Sequence, residues 1–549
     1  MRGAGDRRRR TARTAVLVAV LSALPLVAPA GPPSLPGPLP PPTARARLLG
    51  AASADEPSVA ERLARFRAAA RGTDHAARER AYDDLADLSD PRVVDAILFA
   101  SGLHARERAA LLAKIAKDEA ADVEAAHDLE RALRAYEKIP TPTAAHYARY
   151  HEERTRLQEL RASLASSLEG DRFRVERLGR LLDRARDATT RILSRVPDDA
   201  FDAALERVRA AWLRGAVASF DDRLRFLDAV AWLRRPGVLE AIAGIVDDPI
   251  EDVRIRGAAL RLRAERRDRG ALEQAVALLA APSWILEAAA VESLRLLHDR
   301  GSIEPLIAFL GREDLGRLRE DARRALCSLT GEAIGPYRDA WAAWWKDAQR
   351  DFELPRRPAS VAPPGGADAT ASFYGISTFS RRVLFVLDVS GSMAEPDRHA
   401  RGGERKIDVA RRELAAALGS LDVGGTFGVL LFQEDVVAAP GGVVRTDDAS
   451  RAKARTFVGA VEPAGPTNVV AALEEAYRLA AAGTIDTVFF LTDGRPSTGA
   501  IQTSEGILEV VTRRSRTMPV VIHTIGLGEH DPDLLRRIAD TTGGRYVKR

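Results

Sequence analysis

Cysteine is all but missing from this chain: Cys327 is the only one in 549 residues. No internal disulfide can form, and no cysteine-based zinc site or iron–sulfur cluster can be assembled. Cys327 stands in a helical apolar pattern and reads as a small core residue. Aromatic residues are scarce, at 5%, and no basic stripe is interleaved with them, which argues against nucleic acid as a partner. Neither sign of charge dominates: 82 basic residues face 78 acidic ones, a formal net of +4. No apolar run reaches the roughly 20 residues that a membrane span requires. Three enzyme signatures are also lacking: the Gly-x-Ser-x-Gly elbow, the Walker A loop and His-Glu-x-x-His.

What is present begins with a targeting pattern. Arg7 to Arg10 and Arg13 precede an apolar stretch from Ala15 to Leu24, and Ala28-Pro29-Ala30 offers small residues for cleavage. That order predicts a secretory signal peptide over 1–30, with an uncleaved anchor as the alternative. Residues 31–56 open with "GPPSLPGPLPPPT" and read as an extended proline-rich segment. The expectation is an exported protein, periplasmic, in the cell envelope or extracellular, with no membrane span in the mature chain.

From 57 to 353 the apolar period is helical throughout. "VRIRGAALRL" (253–262), "ILEAAAVESL" (285–294) and "RLREDARRAL" (317–326) recur every 32 residues. Ala258, Ala290 and Ala322 coincide, as do Leu262, Leu294 and Leu326. Two helices per unit, small where they cross, describe an all-α solenoid. These segments resemble HEAT repeats. A stripe through Tyr150, Leu157 and Leu164, resuming after Gly170 at Val175, Leu178 and Leu182, predicts a helical hairpin over about 143–195 with its turn near Gly170. It either projects from the solenoid or packs within it. Trp341, Trp344 and Trp345 sit at helical spacing and are expected to cap the stack. Residues 354–374, rich in Pro, Ala and Gly, read as a linker joining two separate domains.

Over 375–549 the grammar changes to alternation. Apolar runs at 383–389, 427–432, 487–492 and 520–525 are separated by helical stretches at 407–418, 469–482 and 507–511, with a last helix at 534–539. This predicts an α/β, doubly wound, mostly parallel sheet. Ligands of such sheets sit beyond the carboxyl ends of the strands. There the first strand ends in Asp388-Val389-Ser390-Gly391-Ser392, a loop reads Gly465-Pro466-Thr467-Asn468, and a later strand ends in Asp493-Gly494. Two carboxylates and three hydroxyls supply oxygen only, which suits a hard cation, Mg²⁺ or Ca²⁺.

"DVSGSM", "GPTN" and "LTDG" together resemble the three segments of the metal-ion-dependent adhesion site of a von Willebrand factor type A domain. The resemblance covers 381–549. It implies that Ser390, Ser392 and Thr467 bind a metal directly. Asp388 and Asp493 would act through water or hydrogen bonds, and a partner's carboxylate would fill an open position. Mg²⁺ is the expected ion, with Ca²⁺ and Mn²⁺ as alternatives. The expectation is therefore a non-enzymatic binding protein whose partner presents an acidic residue. The alternatives are a metal-assisted hydrolase and a scaffold acting through the solenoid. His523, inside a strand run, reads as a core histidine.

Overall fold

The computed structural model describes residues 57–213, 220–235, 237–355, 371–397, 403–499 and 501–549. The expected signal peptide and the whole of the proline-rich segment lie outside the described residues, as do residues 356–370 of the expected linker. Val59–Arg549 form one compact unit. Among the described residues, no helix is long and apolar enough to cross a membrane.

Helices α1 (Val59–Arg71) and α2 (His75–Asp83) lead into two long ones, α3 (Pro91–Glu137) and α4 (Ala144–Leu193). These two pair along most of their length, so a hairpin exists, but its turn lies at 138–143. The expected turn near Gly170 is not there: α4 runs straight through it. The reason is energetic. A helix-interior glycine costs only about 1 kcal/mol relative to alanine, and a Cβ at Gly170 would meet nothing within 4 Å. Along the seam against α3, Leu157 and Leu168 are buried, and Arg161 meets Asp122 at 2.8 Å and Arg172 meets Glu119 at 2.6 Å. At the tip Tyr136 stacks on Tyr150.

After α5 (Asp198–Val208) and α6 (Phe220–Ala231) the repeats follow: α7 (Val238–Asp247), α8 (Val253–Glu265), α9 (Ala271–Leu278), α10 (Trp284–Leu297), α11 (Ile303–Phe309) and α12 (Leu318–Thr330). The 32-residue period places its matched segments on α8, α10 and α12. Ala290, Ala322, Leu294 and Leu326 are fully buried there. Helix α13 (Arg338–Ala348) closes the stack with Trp341 inside, edge-on to Trp344.

The second half opens with a small hairpin, β1 (Ala371–Phe373) and β2 (Ile376–Thr378). The main sheet holds β3 (Arg382–Asp388), β4 (Thr426–Phe432), β5 (Val436–Ala438), β6 (Val444–Arg445), β7 (Thr487–Thr492), β8 (Val521–Gly526) and β9 (Tyr546–Lys548). Its order is β5-β4-β3-β7-β8-β9, with β6 also on β4. The neighbours β4-β3-β7-β8-β9 are parallel, while β5 and β6 run antiparallel to β4. Every residue of β7 and β8 is buried, which is why these strands read as unbroken apolar runs. Alternate side chains serve two cores. Val383, Phe385 and Leu387 face α14 (Lys406–Ser420) and α15 (Asp448–Gly459). Leu384 and Val386 face α16 (Val469–Ala481), α17 (Ser504–Ser515) and α18 (Pro532–Thr542).

The two halves are not merely tethered. The apolar cluster on the Leu384 side continues into the repeats through Trp284 and Val291. The indole N–H of Trp284 donates to the Gly483 carbonyl at 3.0 Å, and Arg324 donates to that of Gly543 at 2.9 Å. Arg516 pairs with Asp228 at 2.7 Å, and the guanidiniums of Arg317 and Arg382 both lie over Trp284. Gly483, Arg516 and Gly543 precede β7, β8 and β9, so the solenoid covers the amino edge of the sheet. A cavity of about 570 Å³ remains between them. Its arginines, among them Arg295 and Arg324, are already paired with carboxylates.

Two buried histidines are held neutral. Burial, aided by nearby arginines, brings His523 down to about 3 and His104 to about 4. The His523 ring stacks on Phe489 and accepts from the Arg545 amide at 3.1 Å, a core role. A histidine depressed in the folded state stabilises fully above its unfolded pKa near 6.5. That contribution is lost as pH falls toward the folded value. Replacing His523 by Gln is expected to flatten the plot of urea midpoint against pH between 6.5 and 4. A slope equal to wild type contradicts this.

Candidate metal centre

At the carboxyl edge β3 ends in Asp388, which is wholly buried. Its two oxygens are engaged: one accepts the Ser390 amide at 2.8 Å, the other the Thr492 hydroxyl at 2.5 Å. The first bond bends the chain so that Ser390 turns back beneath the strand end. The Ser390 and Ser392 hydroxyls stand 3.2 Å apart, and Ser392 donates to Asp493 at 2.8 Å. Asp493 follows β7 directly, the neighbour of β3 in the sheet.

The third segment is pinned by main-chain bonds. The Gly391 amide donates to the Gly465 carbonyl at 3.0 Å, and the Ala464 amide donates to that of Val389 at 2.9 Å. Gly465 has φ of +77°, a left-handed conformation that favours glycine. Thr467 donates its amide to the Ser497 hydroxyl at 2.9 Å, and Ser497 returns a bond to the Thr467 carbonyl at 3.0 Å. Asn468 then caps α16 through the Ala471 amide. Thus all five residues named from the sequence lie on one edge: Asp388, Ser390, Ser392, Thr467 and Asp493. All but Ser392 are nearly inaccessible.

A cradle confirms how closely they meet. A Cβ built on Gly494 would lie 3.1 Å from the Thr467 hydroxyl and 3.8 Å from that of Ser392. Gly494→Ala is therefore expected to push Thr467 off its rotamer, at about 0.5–1.5 kcal/mol. Any divalent-ion affinity would fall several-fold by calorimetry, with the fold intact. Unchanged affinity would remove Thr467 from the centre.

Burial is also visible electrostatically. Desolvation pushes the Asp388 carboxyl up to about 6, against the hydrogen bonds from Ser390 and Thr492, with the Asp493 charge adding to the rise. One residue was not singled out in the sequence. Lys406, the first residue of α14, donates to Asp493 at 2.7 Å, to Glu395 at 3.0 Å and to the Ser392 carbonyl at 3.3 Å. Burial lowers its pKa, but the bonds to Asp493 and Glu395 outweigh that and leave it raised. Only seven of the 82 basic residues are lysine, and this one is placed where a compact charge fits. Thr492 was likewise passed over as the last residue of an apolar strand.

Among the described residues, no group of three or more His, Cys, Asp or Glu side chains is gathered as a metal site. The centre is instead hydroxyl-rich: three neutral oxygens and two carboxylates. These donors fit a hard divalent cation. The residues that would hold it are the five named.

An open, mostly parallel sheet, helices on both faces and an oxygen-donor centre at its carboxyl edge define the class of this half of the chain. Residues 381–548 match the profile of the von Willebrand factor type A domain family. Two human proteins are similar over this region. Inter-alpha-trypsin inhibitor heavy chain H4 is 28% identical over 134 residues, 23% of this chain and 13% of that protein. Von Willebrand factor A domain-containing protein 3A is 30% identical over 124 residues, 22% and 10% of the two. The chain thus spans about a tenth of the length of these curated relatives. Among solved structures, a von Willebrand factor type A protein from Catenulispora acidiphila is 25% identical. It covers 30% of this chain and 38% of its own, with a TM-score of 0.27.

Proposed function

We propose that this protein is exported and takes a protein partner through a divalent cation, Mg²⁺ first among candidates, held by Asp388, Ser390, Ser392, Thr467 and Asp493. One observation carries the reading: three separate segments bring only oxygen donors to the edge of the sheet opposite the solenoid. When bound there, a divalent ion supplies a positive point that attracts an anionic oxygen. The chain's own residues prepare for it. Asp388, fixed by Ser390 and Thr492, sets the turn. Ser497 clamps Thr467. No residue is assigned to catalysis, and the partner is expected to present an Asp or Glu.

The test is a pull-down from envelope extract with the full chain, in Mg²⁺ and in EDTA, followed by calorimetry with Mg²⁺, Mn²⁺ and Ca²⁺. Capture in Mg²⁺ and loss in EDTA is the expected result. Equal capture in EDTA would shift binding to the solenoid. Export is tested by N-terminal sequencing, with a mature chain beginning near residue 31 expected. Initiation at Met1 in the mature protein would favour the uncleaved anchor.

A further inference from the structure

The side chain of Lys406 is 9% exposed, yet all three of its ammonium bonds go to the candidate metal centre or its rim. It shares Asp493 with Ser392. One carboxylate oxygen takes the ammonium, the other the hydroxyl. Asp493 is fully buried at its side chain, whereas Glu395 is 67% exposed. The bond that matters is therefore the inner one. The Lys406 amide also donates to the Glu395 carbonyl at 3.0 Å, fixing the start of α14 against the loop.

From this geometry we propose that Lys406 is a resident counter-cation of the centre, a positioning residue that sets how tightly a divalent ion is held there. This rests on the metal reading above. Formally, Asp388 and Asp493 carry two negative charges when ionised. With Lys406 the centre carries one. A divalent ion then meets a partly neutralised site, and repulsion from the ammonium opposes it. In return, the metal-free centre keeps a partner for a buried carboxylate, which would otherwise be strongly unfavourable. With the ion in place the centre holds a net positive charge. An arginine would bring a wide planar fork to the same point, whereas a lysine brings a compact charge.

The counter-intuitive consequence is that removing this lysine tightens metal binding. Calorimetry on the full chain with Mg²⁺ alone is expected to show Lys406→Met binding roughly ten- to a hundredfold more tightly than wild type, from the loss of a like charge held on the same carboxylate. Thermal unfolding in EDTA is expected to show the same variant less stable than wild type, with the gap closing in Mg²⁺. A purely structural lysine predicts the reverse: a looser centre and weaker binding. Glu395→Gln serves as the second variant, since its side chain is on the surface. It leaves the ammonium with less compensation and should weaken Mg²⁺ several-fold. Should Lys406→Met fail to fold, unchanged affinity in Glu395→Gln overturns the proposal. If wild type binds Mg²⁺ and Lys406→Met binds equally or more weakly, the inference falls and the metal reading stands. If neither protein binds any divalent ion, both fall.

Discussion

Asp493→Ala is expected to abolish detectable Mg²⁺ binding and to destabilise the metal-free protein by about 3 kcal/mol, the low end for stranding one partner of a buried ion pair. The change removes one of two carboxylates from the centre. It also strips Lys406 of its inner carboxylate at 2.7 Å, leaving the exposed Glu395 and the Ser392 carbonyl. Urea denaturation in EDTA reads the second effect apart from the first. Combining the change with Lys406→Met should restore most of the stability, because the stranded charge is then gone. A loss under about 1 kcal/mol for the single variant would mean the pair is worth no more than one on the surface.

The second large effect is expected at the opposite edge. Asp486, 1% exposed, precedes β7 and accepts from the Ser380 hydroxyl, from Arg382 at 3.0 Å and from the Thr487 hydroxyl at 2.9 Å. The Arg317 guanidinium of the solenoid lies 4.0 Å away. Asp486→Ala removes the common acceptor where the two halves meet and should cost about 3–5 kcal/mol. Asp486→Asn keeps the shape and should cost less. Amide exchange should rise together at the start of β7 and at the N-terminus of α12. If only β7 responds, Asp486 serves the sheet and not the docking of the solenoid.

The repeat helices were legible because packing imposes them. Ala290 and Ala322 must be small where helices cross, and Leu294 and Leu326 must fill what lies between, so a 32-residue period survives in the text. The sheet was legible for a related reason: β3, β7 and β8 are buried on both faces and admit little but apolar residues. The cluster of oxygen donors was legible because β3 and β7 run apolar up to their carboxyl ends and then turn to Asp388 and Asp493. The turn of the hairpin was misplaced because Gly170 looks like a break and costs too little to be one. The pairs that cross the true seam, Arg161–Asp122 and Arg172–Glu119, join partners 39 and 53 residues apart that no local pattern reveals. Docking was invisible for a similar reason. It uses main-chain carbonyls at Gly483 and Gly543, which leave no mark in side-chain chemistry, and the Arg516–Asp228 pair, whose partners stand 288 residues apart. Lys406 lies 14 residues beyond Ser392 and looks like any charge at a helix start. Only the fold brings its ammonium to Asp493.

The opposed placement of solenoid and centre has a mechanical side. Strands β3 and β7 span about 20 Å at roughly 3.3 Å per residue, with the solenoid at one end and Asp388 and Asp493 at the other. A pull on a partner held at that centre and resisted at the solenoid runs along the strands. It loads the hydrogen bonds between β3, β4, β7 and β8 in shear, many at once, where a pull across the sheet would peel them one after another. The arrangement is that of a strap sewn along its length.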